Sequence, residues 1–258
     1  MQSTQNITDG CIEFKIAQPS PQLFHFVESF WMLENTSYAA HETIGLPDGR
    51  FDIIFSYSSH EPFNTMLMGL GTEHGQHSIA PKLIMFAVSF KLLAIEYLLD
   101  IKAASLLNTA FPLPTDFWGI KKSDLNNFEN FCEKVSAKMI SLIKPGIDSR
   151  KQKLFDLIYS SNGTLSVKEL SEKVFWSNRQ INRYFNEQFG ISLKAYCNIL
   201  RFKTSLHHIK KGKLFPELDF TDQTHFIKEV KKFSGVVPKE LFKNKNDRFI
   251  LLSALPKK

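Results

Sequence analysis

A chain of 258 residues has room for two domains, each with its own core. Its formal net charge of +6 conceals an asymmetry: residues 1–149 carry 10 Lys+Arg against 16 Asp+Glu, whereas residues 150–258 carry 22 against 10. Only the second part is built to approach a polyanion, and its helix faces carry amide and guanidinium groups rather than the Trp/Leu-rich face that inserts into membranes.

The longest uncharged run, residues 103–115, holds 13 residues and two prolines, too short and too broken to span a bilayer. The opening MQSTQNITDGCIEF has no basic start and no apolar core, so no secretory signal is expected. Cys11, Cys132 and Cys197 are odd in number and far apart. They form neither a disulfide framework nor a zinc knuckle, and the expected compartment is the reducing cytoplasm.

In chain order, residues 19–31 (PSPQLFHFVESFW) open with prolines and run into aromatics. The turn signal GLPDG at 45–49 leads into the β-rich run RFDIIFSY at 50–57. Residues 65–70 and 83–90 are further short apolar stretches bounded by Gly, Pro or Lys, and together they predict a small antiparallel barrel or sandwich. Residues 91–99 read as a helix. His41, Glu42, Glu73 and His77 invite a metal site, but no His-x-His pair sits on a strand-like stretch, and EHGQH at 73–77 reads as a polar loop. No metal or other cofactor is expected, and no catalytic triad stands in a local context that would give it geometry.

From Asp116 the pattern turns helical. Ser123 or Asp124 would cap a helix in which Leu125, Phe128, Phe131, Cys132, Val135, Met139, Leu142 and Ile143 recur at three- and four-residue steps. That stripe fits a core or a homodimer seam. KPGID at 144–148 breaks it and is expected as an interdomain linker.

In the basic part, Leu154, Phe155 and Ile158 form the inner face of a helix over 149–159. Val167, Leu170 and Val174 then recur at helical spacing before Phe-Trp-Ser interrupts. Ser177 is a good N-cap for a helix over 178–189, and Gly190 stands where a left-handed stop belongs. Helix, turn and capped helix outline a helix-turn-helix. At about 100° per residue, Arg179, Asn182, Arg183 and Asn186 share one arc of roughly 100°, while Ile181, Phe185 and Phe189 take the neighbouring one. Arg can donate twice to guanine and Asn can pair with adenine.

Ser177-x-Arg179-x-Ile181-x-Arg183-x-Phe185, followed by Gly190, Ser192 and Tyr196, resembles the DNA-binding domain of AraC/XylS-type transcription regulators. FTDQTHF at 220–226 and KKFSGVVP at 231–238 resemble the signature around that family's second helix-turn-helix. The spacing of Phe30-Trp31, LPDG at 46–49, Gly69 or Gly71, and Val88-Ser-Phe90 resembles the cupin-like N-terminal domain of some of its members. The resemblance implies a helix over 196–211 that joins two reading modules, with Ile199, Phe202, Leu206 and Ile209 buried. It also exposes a departure. Between Gly212 and Phe220 only KLFPELD intervenes, and seven residues around Pro216 cannot make two helical turns.

The expected fold class is therefore α+β: a small antiparallel β barrel or sandwich with helices, then an all-α double helix-turn-helix domain whose second module is shortened. The expected divisions are 1–146 for sensing or dimerisation, 149–243 for DNA binding and 244–258 as a basic tail. Arg179, Asn182 and Arg183 would read bases in double-stranded DNA, with Asn178, Gln180 and Asn186 flanking. Gln223, Thr224, His225 and Lys228 would follow the duplex by phosphate or shape contacts. The resemblance implies a transcription regulator without catalysis, with a small-molecule effector and a homodimer as further partners. An effector-binding protein with weakened DNA binding is the alternative. An enzyme with a DNA-binding appendage is disfavoured, because three isolated cysteines cannot build the zinc site of the alkyl transferases that carry such a domain.

Overall fold

The computed structural model describes residues 5–101, 103–215, 220, 222–245 and 248–253. It is an α+β chain, with strands in the first half and helices in the second. The strands are β1 (Gln5–Asp9), β2 (Ile12–Ala17), β3 (Val27–Asn35), β4 (His41–Gly45), β5 (Phe51–Tyr57), β6 (Asn64–Met68), β7 (Gly75–Ile79), β8 (Ile84–Phe90) and β9 (Ala110–Leu113). Seven of them form one sheet in the order β1-β2-β3-β8-β5-β6-β9, and β4 pairs with β7. All these pairings are antiparallel.

Alternation along β5 explains the larger sheet's two faces. Phe51, Ile53 and Phe55 are buried on one side, in register with Phe90, Val88 and Phe86 of β8. Helix α1 (Phe128–Leu142) covers this face, with Phe131 meeting Phe55 edge-on at 5.6 Å and Phe86 at 5.3 Å. The stripe of α1 is thus core: Phe128, Phe131, Cys132, Val135 and Met139 are all buried. The opposite face carries Phe14, Ile16, Trp31, Ile54, Met66 and Met68, all half-buried.

Several expectations need correction. The cap of α1 is Asn127, whose Oδ1 accepts from the Asn130 amide at 2.8 Å, and not Ser123 or Asp124. Asp124 instead caps a 3-10 turn over Lys122–Asn126. The stretch around 73–77 is not all loop: Gly75–Ile79 is β7, a strand whose polar residues face solvent and whose backbone pairs with β4. The helix expected over 91–99 is mostly a π-helical turn, Ile95–Leu99, stopped by left-handed Asp100. Strands β1 to β3 were not anticipated as a set.

The remaining helices are α2 (Ser149–Ser160), α3 (Val167–Val174), α4 (Asn178–Phe189), α5 (Leu193–Lys210), α6 (Gln223–Ser234), α7 (Pro238–Lys243) and α8 (Ile250–Ser253). Helix α5 begins before the expected position because Ser192 caps it through the Ala195 amide at 3.2 Å. The predicted inner residues of α2 and α5 are buried. Residues 216–219 and 221, where the supporting helix of the second module was expected to be shortened or lost, lie outside the described residues. Part of the expected basic tail is docked rather than free. The Thr43 hydroxyl and the Ile44 amide both donate to the Arg248 carbonyl, and Phe249 and Leu252 are buried.

Candidate nucleic-acid interface

Helices α3 and α4 form the first helix-turn-helix, and local chemistry fixes both starts. Ser166 and Glu169 form a capping box on α3, and Ser177 and Gln180 form another on α4. In the second box the Gln180 amide donates to Ser177 Oγ at 3.2 Å while Gln180 Oε1 accepts from the Ser177 amide at 2.8 Å. Gly190 ends α4 at φ 71°, its N–H donating to the Asn186 carbonyl. Ile181, Phe185 and Phe189 are buried against α2, where Phe155 lies 5.8 Å from Phe185 and 6.0 Å from Phe189.

The opposite face holds the expected reading residues. Asn178, Arg179, Gln180, Arg183 and Asn186 are exposed, and neither Arg179 nor Arg183 makes a hydrogen bond or ion pair with another described residue. Two members are partly committed to the helix itself. Gln180 closes the capping box, and the half-buried Asn182 donates to the Asn178 carbonyl at 3.0 Å.

On α6, Asp222 caps through the His225 amide at 2.8 Å, and Gln223, Thr224 and Lys228 are exposed. His225 differs from its neighbours. Its ring turns back toward Phe220 at 5.8 Å, and its buried Nδ1 finds no partner among the described residues. Phe226, Val230 and Phe233 face inward, with the Phe233 ring tilted against Phe202 of α5 at 5.1 Å.

Both α4 and α6 touch the β-rich half at their C-terminal ends. The Gln188 side chain donates to the Ile101 carbonyl at 2.9 Å, and a Cβ on Gly190 would come within 3.0 Å of the Ala104 carbonyl oxygen. Tyr184 donates to Glu96 at 3.0 Å, and Lys151 of α2 pairs with the same carboxylate. At the end of α6, a Cβ on Gly235 would fall 2.7 Å from His74 Nε2. The N-terminal ends, with Asn178, Arg179, Gln223 and Thr224, stay exposed.

A buried polar cluster ties the halves together. Arg50, at the start of β5, has a side chain only 5% exposed and pairs with Glu28 at 3.0 Å. Its guanidinium lies 4.8 Å from the Tyr159 ring centroid and donates to the Tyr196 hydroxyl at 3.3 Å. That hydroxyl donates to the Gly49 carbonyl at 3.0 Å, and Lys203 of α5 reaches Glu28 at 3.3 Å. Burial works to raise the Glu28 pKa, but Arg50 and Lys203 outweigh it and hold the carboxyl well below the usual carboxylate range. Burial raises the pKa of both Tyr159 and Tyr196, so they stay neutral. Sequence reading missed this cluster; its one signal was a lone Arg between a turn and a β-rich run.

Among the described residues, no group of three His, Cys, Asp or Glu is placed to hold a metal, and no helix is long and apolar enough to cross a membrane. Residues 15–112, less than half of the chain, match a domain family of unknown function, DUF6597. No curated protein matches. Among solved structures, ToxT from Vibrio cholerae O395 aligns at 13% identity with a TM-score of 0.47, over 87% of this chain and 97% of that one. The structure of unsaturated fatty acid-bound ToxT from Vibrio cholerae strain SCE256 aligns at 11% identity and a TM-score of 0.43, over 100% of both chains. Similarity at this level leaves function to be read from this chain's own residues.

Proposed function

We propose that the chain is a sequence-specific, DNA-binding transcription regulator of the AraC/XylS type, without catalysis of its own. The observation that carries this reading is α4: a doubly capped helix whose exposed face presents Arg179 and Arg183 without partners among the described residues. It stands in the half of the chain where 22 Lys+Arg face 10 Asp+Glu. Arg179, Asn182 and Arg183 would meet base edges in the major groove, with Asn178, Gln180 and Asn186 beside them. Gln223, Thr224 and Lys228 of α6 would contact the backbone of the next turn, and His225 would serve mainly to seat the helix against Phe220.

Residues 1–146 would be the sensing or dimerising domain and 149–243 the DNA-binding domain. A small-molecule effector would bind within residues 1–146. The test is anisotropy titration of the purified full chain against labelled fragments of its source genome across a salt series. The reading requires at least one fragment bound well above bulk DNA, with affinity falling steeply as salt rises. Equal, weak binding to every fragment would leave an effector-binding protein that no longer reads DNA.

A further inference from the structure

Phe175 stands in the turn between α3 and α4 and is 86% exposed. Its backbone is left-handed, at φ 57° and ψ 34°. That conformation is unfavourable for a bulky side chain and is ordinarily left to Gly or Asn. The fold gains little in return: among the described residues the ring has no aromatic partner, and its cation–π neighbour is Lys153 Nζ, 5.7 Å from its centroid. The next residue is different. Trp176 is half-buried, packs on Tyr184 at 5.6 Å and lies under the Arg150 guanidinium at 5.2 Å. An aromatic ring held out to solvent in a strained turn, two residues before the cap of the reading helix, is not explained by packing.

We propose that Phe175 is a DNA-contacting residue whose ring meets apolar atoms of the duplex beside the groove that α4 enters. The inference rests on the DNA-binding reading of α4 and deepens it. Three observations favour DNA as the occupant. The N-terminal end of α4, with Asn178 and Arg179 exposed, is the end that enters a groove in such motifs, and Phe175 adjoins it. Lys153 at the ring, with exposed Lys173 on α3, makes the surroundings cationic and suited to phosphates. Thymine methyl groups and deoxyribose carbons give such a ring an apolar partner at the groove edge.

The test uses the full-length chain and a duplex chosen by the wild type from random sequence. Phe175→Gly should raise or preserve the unfolding temperature, since the left-handed turn suits Gly. The same change should weaken DNA binding about tenfold, as expected for partial burial of an aromatic ring. Phe175→Tyr should keep wild-type affinity, which separates the ring from the backbone. Replacing thymine by uracil within the site, one position at a time, distinguishes the two apolar sources. If the ring meets a methyl, one replacement weakens the wild type but not Phe175→Gly; if it meets sugar, none does. Wild-type affinity in a folded Phe175→Gly overturns the proposal and leaves the ring to a protein partner. Failure of the wild type itself to select any duplex would instead remove the reading on which the proposal stands.

Discussion

Helices α4 and α6 begin and end alike, yet they are held differently. Each runs for 12 residues from a side-chain cap to a left-handed glycine. Helix α4 is packed on α2 and α3 and anchored to the β-rich half through Tyr184, Gln188 and Gly190. Helix α6 leans on α5 and on Phe220, whose ring meets Phe226 at 5.0 Å, and touches the β-rich half at Gly235. Equal capping fixes where a helix starts. Bracing fixes how firmly its outer face is aimed, and that favours α4 as the base reader and α6 as the follower of the backbone.

The largest expected effect comes from removing the brace. Phe185→Ala should cost about 3–5 kcal/mol, because its ring sits among Phe155, Phe189 and Tyr196 in a core shared by both halves. Phe226→Ala on α6 should fall at the low end of that range or below, since its surroundings can collapse around fewer partners. Urea unfolding of the two variants checks the order, and a reversed order would break the contrast. Next comes the tie between halves. Arg50→Ala should cost roughly 3 kcal/mol, leaving Glu28 with only the more exposed Lys203 and Lys91, the Tyr196 hydroxyl without that donor and the Tyr159 ring without its cation. Hydrogen exchange should then rise at the C-terminal end of α4 before it rises in β8.

A pH effect of intermediate size belongs to Asp52, which accepts from Ser89 on the half-buried face of the sheet. Burial and the nearby Asp48 raise its pKa to about 7, against the opposing hydrogen bonds from Ser89 and Trp31. The folded chain therefore holds that proton more tightly than the unfolded one. Its contribution to stability is complete below about pH 4 and is lost as pH rises through the folded value. Asp52→Asn should remove this fall, raising stability at about pH 8 with little change at about pH 4. Glu28 acts oppositely: its contribution stands above the ordinary glutamate pKa and is lost as pH falls below it. The smallest effects are at the caps. Ser177→Ala and Asp222→Ala should each cost about 1 kcal/mol in thermal unfolding, confirming that the helices differ in bracing and not in their starts.

Much of the helical half was legible because its signals are local. Ser177, Gly190 and the recurrence of Ile181, Phe185 and Phe189 state the bounds and inner face of α4 within a few residues of one another. Where the reading slipped, a remote partner decided the outcome. Polar Gly75–Ile79 becomes a strand because β4 pairs with it, and the π-helical turn at Ile95–Leu99 carries Glu96, which Tyr184 and Lys151 bind from far along the chain. The docking of Arg248 onto Thr43 depends on two segments nearly the whole chain apart. At the proposed interface, the arc of Arg and Asn follows from helical pitch. That His225 turns toward Phe220 follows only from where its neighbour stands.

The account stands most directly on whether the outer face of α4 reads bases while that of α6 does not. Selection from random duplexes, run in parallel on the wild type, Arg183→Ala and Lys228→Ala, measures this. The expected result is an enriched motif for the wild type and loss of preference at one or two base pairs for Arg183→Ala, worth about 1–3 kcal/mol of discrimination. Lys228→Ala should keep the motif, with uniformly weaker binding and a salt slope reduced by about one. An unchanged motif for Arg183→Ala, or no motif for the wild type, would contradict the account.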